Sequence, residues 1–275
     1  MNATDDWYDV VEISDSAWRV AEGVIFGSYL LEGDDRALLI DAGAGVGDLR
    51  TTVEGLVDVP VTLLLSHSHW DHVGNGAQFD DVVADAAEHD DGRVVAGGLG
   101  YGPEQWVEDW KAAGEEFPDG FDPETFEIEP LSGVETVSPG ETIDLGGREL
   151  ELVAVPGHSP GQLAVLDREA GNLYGSDVIH NGYGLYVHFE GCDVREYVDT
   201  FETLIELRDS GVFETLYLSH ARPLSGEDLS LLDSFRDGLE AILADELDYE
   251  RVDDGHPARR YEIAGKDVLT KPDVV

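Results

Sequence analysis

The chain has one cysteine, Cys192, and only three lysines, Lys111, Lys266 and Lys271, in 275 residues. A lone cysteine excludes an intramolecular disulfide and any thiolate cluster around a metal. No apolar run approaches the roughly 18 residues of a membrane-spanning helix, which predicts no membrane partner. The acidic N-terminus lacks the basic and apolar stretches of a secretory signal, so the expected location is cytoplasmic. Basic residues are scarce altogether: 16 Lys and Arg stand against 60 Asp and Glu, a net charge of -44. Such a field disfavours nucleic acid as a ligand.

The acids are spread along the chain, as in "MNATDDWYD", "FDDVVADAAEHDD" and "ADELDYE". At low ionic strength their repulsion opposes compaction. In molar salt the Debye length shrinks to about 3 Å and the repulsion is screened. The charge therefore predicts a halophilic protein and describes its solvent more than its partners. With 42% apolar and 9% aromatic residues, the chain can still bury a sizeable core.

Periodicity predicts an α/β fold. "AWRVAEG" and "GSYLLEG" read as short strands, "GDDR" as a turn and "ALLIDAG" as a buried strand. Helical spacing in "GDLRTTVEGLV" precedes Pro60 and the strand "VTLLLSH". Residues 97–130 differ, with glycines and prolines among Tyr101, Trp106, Trp110, Phe117, Phe121 and Phe126. They read either as a lid insertion or as a plain helix, 104–113, docking Trp106 and Trp110 on the core. Strands resume at "ETIDLGG", "RELELVAVPGH", "GQLAVLD" and "NLYGSDVI", followed by a helix at 195–208, the strand "TLYLSH" and a helix at 226–246. The second half thus echoes the layout of the first. No linker divides them, so residues 1–275 are expected to form one domain.

Four of these strands deliver metal-ligating side chains at their carboxyl ends. His67, His69, Asp71 and His72 ("HSHWDH") follow "VTLLL", His158 follows "LELVAVPG", Asp177 follows "NLYGS" and His220 follows "TLYLS". Imidazole with carboxylate and no thiolate suits zinc, and also iron or manganese. Seven donors exceed one tetrahedral ion and suit two divalent ions with Asp177 shared. His67 and His69, two residues apart, can grip one ion, while Asp71 and His72 are displaced toward the other. Two such ions would hold a hydroxide at neutral pH for attack on an electrophilic centre.

"HSHWDH", "PGHSPGQLAVLD", "GSDVI" and "LSHARPL", with "LLIDAG" upstream, resemble the ordered motifs of the metallo-β-lactamase superfamily over about residues 20–225. The resemblance implies an αββα four-layer sandwich of two mixed β-sheets. It assigns His67, His69 and His158 to a first metal and Asp71, His72 and His220 to a second, bridged by Asp177. Asp71 would also orient the nucleophile or accept its proton. By the same analogy Asp41 reads as a carboxylate orienting a ligand histidine, or else as a capping residue before "AGAG". His89 and His256 read as surface residues. His180, Tyr183, Tyr186 and His188 would line the pocket or pack in the core, and Trp70 would pack beneath the metal loop. Ser159 has no independent base if His158 binds metal, and "GAGVGD" lacks dinucleotide-loop spacing.

The activity implied is hydrolysis of a small ester, thioester, lactone or amide. Glyoxalase II-like enzymes share the "HxHxDH" form, but their glutathione-binding C-terminal region finds little room in "RYEIAGKDVLTKP". The alternative of a different class is a mononuclear iron sulfur dioxygenase-like oxidoreductase, which keeps similar motifs.

Overall fold

The computed structural model describes residues 7–22, 26–97, 102–180, 182, 184–253 and 256–274, so Tyr101 and Tyr183 lie outside the described residues. The chain divides into two compact units, residues 1–138 with 143–149, and residues 139–142 with 150–275.

The first unit is built on a sheet that runs in order through β1 (Tyr8–Ser14), β2 (Ala17–Glu22), β3 (Phe26–Glu32), β4 (Ala37–Ile40), β5 (Val61–Leu65) and β6 (Val82–Asp85). β7 (Arg93–Val94) and β8 (Leu131–Ser132) pair apart as a two-stranded ribbon, and β9 (Glu135–Val137) joins the sheet beyond β6. β1 to β4 are antiparallel; from β4 onward the pairing is parallel. Register places Leu30, Leu39, Leu63 and Val82 in one row across β3–β6. That row packs with Leu49 and Val53 of α1 (Leu49–Glu54) in one buried cluster. Leu31, Leu38 and Leu64, pointing the other way, are buried as well. Strands covered on both faces need no polar alternation, which is why "ALLI" and "VTLLL" are unbroken apolar runs. Asp48 starts α1 by accepting the Thr51 N–H at 2.9 Å.

Two further helices belong to this unit, α2 (Trp70–Val73) and α3 (Pro103–Ala113). Proline opens α3 and Gly114, at φ 80°, closes it, so the helix expected at 104–113 begins one residue earlier. Trp106 is buried, 5.5 Å from Phe26 and 6.0 Å from Trp70 between ring centres. Trp110 meets Trp7 edge-on at 5.4 Å, and Phe117, Phe121 and Phe126 continue the chain of contacts. The described part of 97–130 is therefore fastened by aromatic packing to α2, the helix that carries Asp71 and His72.

β10 (Thr142–Asp144) heads another sheet, which the second unit carries on through β11 (Glu149–Ala154), β12 (Leu163–Asp167) and β13 (Asn172–Tyr174). β14 (Leu185–Val187) leaves for another sheet, and β15 (Thr215–Tyr217) and β16 (Leu224–Ser225) complete the first, with β15 parallel to β13. α4 (Val194–Asp209) and α5 (Leu231–Leu243) pack together through Phe201 and Phe235, 5.6 Å apart. α5 starts later than the helix expected at 226–246. Gly226, at φ 55°, opens a 3-10 turn over Gly226–Ser230 instead, and α5 ends at Leu243. Arg208 of α4 bonds Asp233 of α5 and holds its carboxyl below the usual carboxylate range.

A third sheet, additional to the two read from the sequence, has the order β14, β19 (Lys266–Thr270), β18 (Pro257–Ile263) and β17 (Glu250–Asp253). β18 and β19 turn at Ala264 and Gly265, both at positive φ, as a two-residue hairpin requires. Among the described residues no helix is long and apolar enough to cross a membrane.

Candidate metal centre

In the first unit the donors follow β5 directly. His67, His69, Asp71 and His72 are all buried at the strand end and in α2. His67 Nε2 and His69 Nδ1 face each other at 2.9 Å, the rings of His67 and His72 stand 4.1 Å apart, and Asp71 Oδ2 lies 3.9 Å from His72 Nε2. Buried polar atoms gathered this closely at a strand end fit a cation in their chemistry: nitrogen and carboxylate oxygen, with no sulfur.

The proton positions follow from the neighbours. The Asp41 carboxylate can only accept, so Ser66 Oγ donates to it at 2.8 Å and must accept from His67 Nδ1–H at 3.0 Å. His72 Nδ1–H likewise donates to Asp41 Oδ2 at 2.8 Å. Both histidines are thus fixed in the tautomer that leaves Nε2 bare for a metal. Asp41 does this from a left-handed backbone, φ 65°, and its Oδ1 also accepts the Ser66 N–H at 2.8 Å. That conformation is costly for an L-residue, and the carboxylate contacts hold it there.

Close approach of backbone completes the frame. Gly74, just past α2, donates to Gly43 O at 2.9 Å, and a Cβ at 74 would fall 2.3 Å from the Ala44 carbonyl carbon. Glu22 anchors the same loop: its buried carboxylate accepts from Ala44 N, Val46 N and Trp7 Nε1 at 2.5, 2.8 and 2.9 Å. Burial pushes its pKa up, against the downward pull of those donors. Glu88 plays a similar part at Ser68, accepting from its N–H and its hydroxyl at 2.9 and 2.7 Å.

The second unit gathers its donors around Asp177. His158, His180 and His220 approach its Oδ2 with Nε2 at 3.6, 3.2 and 3.2 Å. His158 Nδ1–H donates to Tyr186 O at 3.3 Å, again leaving Nε2 inward. Ser176, at φ 50°, turns the chain so that Asp177 leaves β13 toward the histidines, and Ser219 N–H bonds Ser176 O at 3.1 Å. Gly157, at φ 123°, lets Tyr197 pack against the turn before His158, since a Cβ there would lie 2.6 Å from Tyr197 Cγ. Burial drives the Tyr197 pKa well up, so the phenol keeps its proton and donates to Asp177 O at 3.2 Å. Cys192 lies beside His158, its Sγ bonded to His158 O at 3.0 Å, and burial raises the thiol to about 11.

The sequence-derived donors therefore gather as two clusters, His67, His69, Asp71 and His72 in one unit and His158, Asp177 and His220 in the other. Asp41 takes the orienting role rather than a capping one, and Trp70 packs under α2 against Phe26 and Trp106. His89 is held between Thr136 Oγ1 and Gly92 N at 2.9 and 3.1 Å, which is a loop-anchoring role and not the plain surface one expected. His256, as read, is partly exposed, beside Phe189. His188 packs against Phe189 with the rings tilted, 4.0 Å between centres. Ser66, Glu22 and Glu88 are absent from the sequence reading, because nothing local to a lone serine or glutamate marks it as the partner of a distant loop.

Asp41→Asn tests the orienting role. Asparagine tolerates the left-handed backbone but offers a single acceptor oxygen where Ser66 and His72 need two. Zinc affinity, measured by chelator competition, is expected to fall about 10- to 100-fold. Wild-type affinity in this variant would show that His72 is held by other means.

Comparison with known proteins places residues 28–213 on the family model of the metallo-beta-lactamase superfamily. Human acyl-coenzyme A thioesterase MBLAC2 is 27% identical over 246 residues, 83% of this chain and 86% of that protein. Hydroxyacylglutathione hydrolase GloC of Haemophilus influenzae is 25% identical, over 66% of this chain and 80% of its own. Among solved structures, a metallo-beta-lactamase from Pontibacter korlensis superposes with a TM-score of 0.58 at 17% identity, covering 85% of this chain and 99% of that one. A metallo-beta-lactamase family protein from Thermus thermophilus gives 0.56 at 18% identity, covering 85% and 82%. The structural likeness shows the fold, a mixed α/β arrangement with several mixed sheets.

Proposed function

The chain belongs to the metallo-beta-lactamase superfamily and is a hydrolase of that group, and from this we propose that its two donor clusters form one dinuclear centre that hydrolyses a small-molecule thioester. The observation that carries the thioester reading is the similarity, across 83% of the chain, to acyl-coenzyme A thioesterases, together with seven buried donors at strand ends. The single-domain reading of 1–275 is kept on the same ground, because the family match runs across both units.

In this reading His67, His69 and His158 hold one divalent cation, Asp71, His72 and His220 hold the second, and Asp177 is shared. Zinc suits these donors best. When bound, the two cations acidify water toward neutrality and withdraw charge from a carbonyl oxygen. The protein's own contribution is orientation. Asp71 directs the attacking water with a carboxylate oxygen or takes its proton. Asp41 and Ser66 keep His72 and His67 in the ligating tautomer.

Leaving-group chemistry supports a thioester over an amide. A thiol with a pKa near 8.5 departs as thiolate and needs no proton, whereas an amine requires a general acid.

The test is purification in molar KCl, elemental analysis, and anaerobic assay on acyl-coenzyme A esters, a lactone, a phosphodiester and a β-lactam. Thiol release from the acyl-coenzyme A esters, abolished by chelator and restored by zinc, is the expected result. A metal-loaded protein inactive on every thioester but active on another substrate would overturn the thioester reading. One iron per chain with oxygen uptake would favour the sulfur dioxygenase alternative.

A further inference from the structure

His180 lies outside the superfamily's seven donor positions, yet it sits as close to Asp177 as His220 does. Both Nε2 atoms are 3.2 Å from Asp177 Oδ2, and His158 Nε2 is 3.6 Å from the same oxygen. Ligands bound at about 2.0–2.1 Å around a tetrahedral zinc are about 3.3–3.4 Å from one another. The separations of His180 and His158 from Asp177, 3.2 and 3.6 Å, lie on either side of that edge length. Donor atoms of His158, Asp177 and His180 also fall within 4.8 Å of one another as a group.

The setting of the ring points the same way. His180 is 5% exposed, its ring is nearly parallel to that of His220 at 6.0 Å, and Tyr186 packs against it at 4.7 Å. Its backbone N–H is bonded to Gly184 O at 2.9 Å, which pins the loop that carries it. Among the described residues Nδ1 has no hydrogen-bond partner, so the ring is oriented through Nε2 and by packing. A core histidine placed only for packing would not aim its one engaged nitrogen at the oxygen that two other imidazoles share.

We propose that His180 is an eighth metal donor, which with His158 and Asp177 gives the second unit a three-donor site of its own. The inference rests on the metal-centre reading above, but not on the substrate. It implies that the second unit keeps an ion when the first unit's donors are removed.

The experiment uses the full chain in molar KCl with zinc and cobalt(II) as probes. The double variant His67→Ala/His72→Ala is expected to retain about one zinc per chain after dialysis. Adding His180→Ala should lower its zinc affinity at least about 10-fold and shift the cobalt(II) visible spectrum. Circular dichroism of the metal-free proteins checks that the fold persists. His180→Asn, which can still donate a hydrogen bond to Asp177, should behave as His180→Ala does. Unchanged affinity and spectrum in His180→Ala, or wild-type values restored by His180→Asn, would overturn the ligand role. Loss of all zinc from the double variant would overturn the stand-alone site. A wild-type protein that holds its zinc but cleaves no thioester would instead count against the proposed function and leave His180 in place.

Discussion

Replacing Asp177 with alanine is expected to remove one metal ion per chain and to lower turnover by about 10³-fold or more. Three imidazole nitrogens of the second unit converge on this one carboxylate oxygen at 3.2–3.6 Å, so its loss acts on all three at once. Without it the histidines lose the anion that balances the bound charge. The fold should survive, because the backbone carbonyl that Tyr197 bonds is unaffected by the substitution. Val178 and Ile179 also stay in the core cluster. Elemental analysis and thiol-release kinetics on the same preparation give both readouts. A variant that keeps two ions and full activity would refute the shared-carboxylate assignment.

The second large effect concerns salt. Lowering KCl from 1 M to 0.01 M lengthens the Debye distance from about 3 Å to about 30 Å, and 60 acids then act on one another against 16 bases. Among the described residues seven of the bases are already ion-paired with nearby acids. Arg50 meets both Glu54 and Asp80, and Lys111 meets both Glu108 and Glu124. Little positive charge remains to offset the excess. Dialysis into dilute buffer is therefore expected to unfold the protein, with ellipticity and activity recovered when KCl is returned. A melting temperature that does not change across that range would refute halophilic adaptation.

Much of this was legible in the sequence where the signal is local. "VTLLL" followed by "SHSHWDH" gives a buried strand and four donors in one stretch. α3 could be read to within a residue, because Pro103 and Gly114 punctuate it. What escaped depends on contacts made across long separations. β1 and β17 bury only one side chain between them, that of Tyr8, so their apolar pattern is weak. Ser66 acquires its role only when Asp41, 25 residues earlier, reaches it. His180 read as a pocket or core residue because its spacing from Asp177 matches no ligand motif, and only the turn after β13 brings its Nε2 to the carboxylate.

The position of Cys192 bears on how turnover can be followed. The residue is 5% exposed, and its thiol is occupied with the His158 carbonyl and protonated up to about pH 11. The reactive species toward a chromogenic disulfide is the thiolate, which this residue scarcely forms at neutral pH. The folded protein should thus be colourless toward such a reagent, and every equivalent of colour counts a product molecule. Colour from protein alone, one equivalent per chain and no more, would then report unfolding directly.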